Sequence, residues 1–277
     1  MIYSDKIKNA KMIEIIMDLE TCLDKNERKE GIEEYLCFNE INFENQKYKT
    51  GQNIIATIGN PPYIGVGSHY DVVPRSPGAN DNASAVAVTI DVLRRFQKYP
   101  LKNIGVKGFF FDQEEDDLIG SKAYVDKNGI EGLIGVYNME LVGVNDIAAL
   151  WTVAINQKGT LLEEIENTGK KINIPIVRIP MMIANAADHI SFNEAGLVDA
   201  FTITMIPKED LSRIPEYLQA LKNNCSMEEL WKIMSTAKVF EHYHKPSDKS
   251  EHLSQKTLEN VSQLLYDSIR EIDKKYS

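Results

Sequence analysis

Apolar residues recur along the chain at helical and at strand-like spacing, and the two patterns alternate. Near the N terminus, apolar side chains at positions 12, 13, 15, 16 and 19 share one face and predict an amphipathic helix. From residue 33 to 60 the pattern becomes strand-like and ends at the turn-forming segment Gly59-Asn60-Pro61-Pro62. Later apolar runs predict further buried strands at 63–69, 104–115, 132–143, 147–154 and 200–205.

Helical patterns separate these runs. Residues 83–96 and 118–125 are predicted to be helices, 206–240 a helical excursion, and 254–275 a last amphipathic helix. Alternating strands and helices are typical of an α/β fold with a mostly parallel central sheet and helices on both faces. Because the sequence has no internal repeat, low-complexity tract or linker, we expect residues 1–277 to form a single domain.

Charge and cysteine usage limit the partners and the cellular compartment that we expect for this protein. The formal net charge is -10, and a net anion is repelled by nucleic acid and by anionic membrane surfaces, so neither is expected as a partner. The cysteines (Cys22, Cys37 and Cys225) are far apart and form no CxxC pair, which favours reduced thiols. The first residues lack the apolar core of a signal peptide, and no apolar run is long enough to span a membrane. These features predict a cytoplasmic protein.

Polar side chains collect where the predicted strands end. His69 and Asp71 end one strand, Glu114 and Glu115 the next, and Glu140 lies near the end of a third. In open α/β sheets, ligands bind at the carboxyl ends of the strands. The sequence therefore predicts a binding site that contains both carboxylates and imidazoles.

Such a group of acids requires nearby positive charge, because buried carboxylates are costly unless they are paired or bound to a metal. No Lys or Arg alternates closely enough with Asp81, Glu114, Glu115 and Glu140 to neutralise them all, whereas two divalent cations would. Histidine and carboxylate ligands suit zinc, and also cobalt or manganese. Two such ions can share a bridging carboxylate and a bridging water, and an adjacent carboxylate can accept the proton of that water.

Each motif alone has an ordinary explanation. A His and an Asp two residues apart at a strand end are a weak sign of a metal, and an acidic run such as QEEDD is usually a solvated loop. Asp81 or Asn82 also stands where the N-cap of the helix at 83–96 is expected. Together and in this order, the motifs are much more specific than any one of them.

The combination resembles the co-catalytic zinc exopeptidases, a family that includes bacterial leucyl aminopeptidases, glutamate carboxypeptidases and, as divergent relatives, glutaminyl cyclases. The resemblance extends from about residue 53 to the C terminus. It rests on the stretches GSHYDVVPRSPGANDNASAVAV, FFFDQEEDDLIGSKAYV, NMELVG, AADHISFNEAGLVDAF and YHKPSDK.

The resemblance implies a role for each residue of the site. His69 and Glu140 would bind the first zinc ion, Glu115 and His244 the second, and Asp81 would bridge the two ions. In the family, a cis peptide bond often follows this bridging Asp.

Further residues would act beside the metal ions. Glu114 would be the general base, Asp71 would orient the imidazole of His69, and Tyr243 resembles a tyrosine that stabilises the tetrahedral oxyanion. Asp188 and His189 would be supporting residues and part of the pocket wall. The excursion at 206–240 would lie near the substrate pocket.

The predicted activity is that of a di-zinc aminopeptidase acting on short peptides. Glu140 is a departure, since most aminopeptidases of the family have Asp there, so a carboxypeptidase or N-acyl-amino-acid hydrolase is the alternative. That activity would need a basic residue for the substrate carboxylate, and the candidates are Arg178, Lys208 and Arg213. A one-zinc glutaminyl cyclase and an inactive binding homologue are the remaining possibilities.

Overall fold

The computed structural model describes residues 7–22, 24–180 and 187–276. Its centre is an eight-stranded sheet in the order β1-β2-β4-β3-β5-β8-β6-β7. The strands are β1 Phe43–Lys47, β2 Gln52–Ile58, β3 Tyr63–His69, β4 Gly105–Phe111, β5 Leu133–Met139, β6 Ile147–Trp151, β7 Ile176–Ile179 and β8 Ala200–Ile206.

The middle of this sheet is parallel. Strand β3 pairs in parallel with β4 on one side and β5 on the other, and β5 pairs in parallel with β8. The carboxyl ends of β3, β4 and β5 therefore meet at one edge of the sheet. Outside this region, β2 runs antiparallel to β4 and β6 antiparallel to β8, so the mixed sheet keeps a parallel centre where the site lies.

Nine α-helices lie in the described parts of the chain. They are α1 Met12–Glu20, α2 Lys25–Phe38, α3 Ser84–Lys98, α4 Ile119–Asn128, α5 Thr160–Ile172, α6 His189–Glu194, α7 Arg213–Lys222, α8 Met227–Met234 and α9 Gln255–Lys275. None of these helices combines the length and apolar character that a membrane crossing requires.

Helices cover both faces of the sheet. Helices α1, α3, α5 and α9 bury their apolar stripes in the largest core, against strand residues such as Ile64, Val66 and Phe110. On the other face, Phe109 and Phe111 of β4 pack with Tyr124 of α4 and Phe192 of α6. Alternate residues of β4 thus enter opposite cores, as the two-residue period of a strand requires. The predicted α/β architecture is confirmed.

The segment 206–240 forms a separate helical layer over the β6–β7–β8 side of the sheet. It contains short 3₁₀ turns at Lys208–Ser212 and Lys238–Phe240, on either side of α7 and α8. Asp210 joins the two ends of this layer, because its carboxylate accepts the backbone N–H of Lys238 at 2.8 Å and of Val239 at 2.9 Å.

The prediction of a strand-like segment from residue 33 onward is wrong at its start. Residues up to 38 belong to α2, whose N-cap Asp24 accepts backbone N–H groups from Asn26 and Glu27. The apolar side chains of Ile32, Tyr35 and Leu36 are three and four residues apart and are buried on one helical face. The prediction that the whole chain is one domain stays a prediction.

Candidate metal centre

The predicted site residues meet at the edge where β3, β4 and β5 end. His69 is the last residue of β3, and Glu140 directly follows β5. Strand β4 ends at Phe111, before the two acids, so Glu114 and Glu115 lie in a turn in which Gln113 has a positive φ of 58°. Adjacent side chains of a strand point to opposite faces, so this turn is what allows both acids to face one site.

Two groups of possible metal ligands share the carboxylate of Asp81. Its Oδ1 lies 3.4 Å from Nε2 of His69, and its Oδ2 lies 3.3 Å from Nε2 of His244. Glu140 completes the first group, with Oε2 at 3.2 Å from Nε2 of His69. Glu115 completes the second, with Oε2 at 3.1 Å from Nε2 of His244. In each group the ligand atoms lie within 4.8 Å of one another.

This arrangement of side chains fits divalent cations. Atom Oε1 of Glu115 is buried and has no hydrogen-bond partner in the described structure, so this carboxylate keeps an acceptor that a cation could use. A third possible ligand group (His69, Glu114 and Glu115) overlaps the first two. Burial raises the pKa of Glu140 to about 7 and also raises that of Glu115. Bound metal ions would offset the free-energy cost of burying these carboxylates.

The same acids raise the pKa values of the two imidazoles. Burial by itself lowers the pKa of His69, but the charges of Glu140 and Glu114 outweigh it and hold that pKa well above 6.5. At His244, burial is likewise outweighed, here by Asp81 and Glu115, which raise the pKa to about 9. Without metal, each imidazole therefore holds a proton that a metal ion would displace.

Asp71 connects His69 to the turn that carries Glu114. Its Oδ1 lies 3.4 Å from Nδ1 of His69 and accepts the backbone N–H of Glu114 at 3.1 Å. Its Oδ2 accepts the N–H of Glu115 at 3.2 Å. The carboxylate of Glu114 is nearly buried and lies 3.8 Å from Nε2 of His69, and burial raises its pKa well above the ordinary value.

The turn that carries Asp81 is held from behind by Asp248. Neither Asp81 nor Asn82 caps α3, contrary to the N-cap alternative, because both side chains point into the site. Instead Asp248 accepts the backbone N–H of Asn80 at 2.8 Å and of Asp81 at 3.0 Å. The Asp81–Asn82 peptide bond is cis. Asp248 lies in the stretch YHKPSDK, but no sequence pattern predicted this role for it.

A chain of hydrogen bonds extends from Glu140 into the protein. Nδ2 of Asn138 lies 3.3 Å from Oε1 of Glu140 and 3.0 Å from Oγ1 of Thr202. Thr202 contacts Nδ1 of His189 at 2.7 Å, and Nε2 of His189 contacts Oγ1 of Thr152 at 2.6 Å. Burial lowers the pKa of His189 to about 3, so this imidazole is neutral and supports Glu140 through Thr202.

Other predicted residues lie around this centre. The ring of Tyr243 stacks on His244 at 3.7 Å and meets Phe240 edge-on at 5.3 Å. Asp188 is fully buried, and burial raises its pKa to about 8. The histidines that had no expected role, His242 and His252, stack on each other at 4.2 Å.

Of the basic residues considered for a substrate carboxylate, Arg178 is already engaged. Its guanidinium pairs with Glu166 at 2.6 Å and donates to the carbonyl oxygens of residues 154, 155 and 157. Arg213 pairs with Glu216 at 3.1 Å on the exposed side of α7.

Comparison with known proteins agrees with this geometry. A family model described as peptidase family M28 matches residues 53–269. The chain belongs to this peptidase family. The matched region includes every predicted metal ligand of this M28 chain.

Similar curated proteins are aminopeptidases by name. Aminopeptidase YwaD of Bacillus subtilis (strain 168) is 28% identical over 237 residues, which cover 82% of this chain and 46% of the relative. The probable lipoprotein aminopeptidase LpqL of Mycobacterium tuberculosis is 26% identical over 224 residues, covering 77% of this chain and 43% of the relative. The chain thus spans about half the length of these relatives.

Solved structures agree on the fold. The zinc aminopeptidase BSAP from Bacillus subtilis matches with a TM-score of 0.62 and 25% identity, over 80% of this chain and 50% of that one. Porphyromonas gingivalis glutaminyl cyclase matches with a TM-score of 0.71 over 94% of this chain and 97% of that one. At 13% identity, the cyclase shows the shared fold alone.

Proposed function

We propose that this M28 chain is a metal-dependent aminopeptidase that removes N-terminal residues from short peptides. The observation that carries the proposal is the position of Asp81, whose two carboxylate oxygens face His69 and His244 separately. A carboxylate in this position suits two neighbouring ions. The names of the similar proteins support the aminopeptidase activity.

The residues fit two zinc ions. His69, Asp81 and Glu140 would hold the first, and Asp81, Glu115 and His244 the second. When bound, such ions polarise the scissile carbonyl and acidify the attacking water. Cobalt or manganese would suit the same mixture of nitrogen and oxygen ligands.

Glu114 is the residue that moves protons in this proposal. Its buried carboxyl has a raised pKa, which is the property required of a group that must both accept and donate a proton. It would take a proton from the attacking water and deliver it to the leaving amine. Because Asp71 binds the backbone N–H of Glu114, the carboxylate of Glu114 is held beside His69.

Tyr243 would act on the substrate oxygen. Burial and the neighbouring acids raise the pKa of this phenol, so its hydroxyl keeps its proton. A protonated hydroxyl can donate a hydrogen bond to the oxyanion that develops when water attacks the carbonyl.

Charge favours a substrate with a free amino group. Around the two imidazoles lie more carboxylates than two zinc ions need as ligands, including Asp71, Glu114 and Asp188. When these groups are ionised, such surroundings attract an ammonium group and repel a carboxylate. Arg178, the best buried candidate for binding a substrate carboxylate, is occupied by Glu166.

The test is hydrolysis of matched peptides, one set with a free α-amino group and one set N-acylated, by the zinc-loaded protein. We expect cleavage of the free-amine set alone and close to two zinc ions per chain by elemental analysis. Cleavage of the acylated set alone would make the enzyme a carboxypeptidase or acyl hydrolase. One ion per chain, with cyclisation of N-terminal glutamine, would favour the cyclase.

A cytoplasmic location is part of the same proposal. Cys22, Cys37 and Cys225 are all free thiols, which supports a reducing compartment.

A further inference from the structure

A buried arginine lies behind the turn that carries Asp81. Arg28, in the first turn of α2, is only 1% exposed. Its Nη1 donates to the carbonyl oxygen of Pro77 and its Nη2 to that of Gly78, both at 3.1 Å. Helix α2 precedes residues 53–269, so this contact comes from outside the segment that the family model matches.

The carbonyl of Gly78 connects Arg28 to the metal-binding turn. The same oxygen accepts the backbone N–H of Ala83 at 3.1 Å and so closes the π-helical turn Ala79–Ala83 that contains Asp81. Gly78 has a positive φ of 60°, and a Cβ built on it would lie 2.2 Å from Cγ1 of Val72 and 2.8 Å from Nη1 of Arg28. The turn is therefore packed directly against the guanidinium.

Two contacts thus fix the backbone that leads into Asp81. Arg28 binds the carbonyl oxygens before it, and Asp248 binds the N–H groups of Asn80 and Asp81. A second cation of the same helical turn acts on the next loop, since Nζ of Lys25 lies 3.2 Å from both carboxylate oxygens of Asp112. Asp112 directly precedes the turn with Glu114 and Glu115.

We propose that Arg28 is a positioning residue for the metal-binding carboxylate of Asp81, acting through the carbonyl oxygens of Pro77 and Gly78. This inference rests on the proposed metal site. A role as a mere counter-charge predicts the opposite effect, because removing a nearby positive charge strengthens the attraction of the site for a cation. A positioning role predicts weaker metal binding when Arg28 is replaced. The direction of the change in zinc affinity therefore separates the two roles.

The experiment measures the zinc dissociation constant by competition with a chromophoric chelator for the full chain and for Arg28→Met and Arg28→Lys. We expect Arg28→Met to bind zinc about 10–100-fold more weakly than the wild type, the usual effect of losing a group that orients a ligand. Arg28→Lys keeps the charge but not the two-carbonyl geometry, and its dissociation constant should lie between the two. A folded Arg28→Met that binds zinc as tightly as the wild type, or more tightly, would overturn the inference.

Arg95→Met is the matched control. Arg95 also bridges elements, with bonds to Ser262 at 3.2 Å and Gln263 at 2.8 Å, but it lies near the C-terminal end of α3. We expect lower thermal stability and unchanged zinc affinity from this variant. An equal loss of zinc affinity in Arg95→Met would also overturn the inference.

Two further outcomes are decided by the same titrations. Should Arg28→Met fail to fold, Arg28→Lys decides, since weaker zinc binding supports the positioning role and unchanged binding refutes it. A wild-type chain that binds no zinc would refute the proposed function itself, which is a different result from equal binding by wild type and variant.

Discussion

The carboxylate of Asp71 accepts the backbone N–H of Glu114 at 3.1 Å while the same oxygen lies 3.4 Å from Nδ1 of His69. One side chain thus sets the distance between a proposed metal ligand and the proposed base. Asp71→Asn weakens both contacts because an amide is uncharged, and its single oxygen also leaves the N–H of Glu115 without the Oδ2 acceptor.

For Asp71→Asn we expect kcat to fall about 10–100-fold, with a smaller change in KM, since groups that orient ligands typically contribute this much. Steady-state kinetics on a free-amine peptide would measure it. Asp91→Asn, whose carboxylate pairs with Arg94 on α3, is the control and should keep wild-type kcat. A normal kcat for Asp71→Asn would show that the imidazole and the turn hold their positions without it.

Glu114 and Glu115 are adjacent in sequence and form a matched pair of variants. Glu114→Gln keeps the shape of the side chain but cannot accept a proton, so we expect kcat to fall at least about 100-fold with zinc content unchanged. Glu115→Gln should instead reduce the zinc content, because Glu115 belongs to the ligand group of His244. Elemental analysis measures the zinc content of both variants, and steady-state kinetics measures their activity. If Glu114→Gln were the variant that lost zinc, the roles proposed for Glu114 and Glu115 would be exchanged.

Zinc binding should release protons at pH 7. In the metal-free chain the pKa of His244 is about 9, so its imidazole is protonated and must lose a proton to bind zinc. Apparent zinc affinity should therefore rise between pH 7 and pH 9 as the imidazole of His244 loses its proton. Titration calorimetry in two buffers of different ionisation enthalpy counts the protons.

His244→Ala should release roughly one proton fewer than the wild type for this reason. His242→Ala is the control, since His242 stacks on His252 rather than on a proposed metal ligand, and it should match the wild type. Equal proton release by wild type and His244→Ala would exclude His244 as a protonated ligand.

The buried imidazole of His189 should make the free energy of unfolding of the metal-free chain depend on pH. Burial lowers its pKa from 6.5 to about 3 in the folded chain, whereas the unfolded chain takes up a proton near pH 6.5. The stability that His189 provides is therefore complete above pH 6.5 and is lost as pH falls toward 3. Each pH unit in that window should lower the free energy of unfolding by about 1.4 kcal/mol.

Urea denaturation at several pH values, with a chelator present, measures this dependence. His189→Gln removes the titrating group and should show a shallower loss of stability below pH 6.5 than the wild type. His252→Gln changes a partly exposed histidine and should keep the wild-type slope. Identical slopes for wild type and His189→Gln would mean that the buried imidazole is protonated in the folded chain as well.

The sequence predicted the central strands well, because strands buried on both faces are continuous apolar runs that end at polar residues. The strands at 63–69 and 200–205 were placed nearly to the residue. The C-terminal part of helix α2 was misread although Ile32, Tyr35 and Leu36 have helical spacing, because the helix is mostly charged and carries few apolar residues.

The direction of the outer strands could not be predicted from the sequence. That β6 runs antiparallel to β8 could not be read from residues 147–154, because direction depends on where the connecting segments place a strand and not on its own side chains.

Residue type and order predicted which side chains would meet at one edge of the sheet. Histidines and acids at strand ends are costly unless a ligand uses them, so their positions along the chain predicted the edge where they meet. Contacts from distant segments were decided only by the tertiary structure. Arg28 and Asp248 both bind the backbone of the Asp81 turn, yet they lie far from it in sequence and have no pattern of their own. Their effect depends on distance and burial, which exist only after the chain has folded.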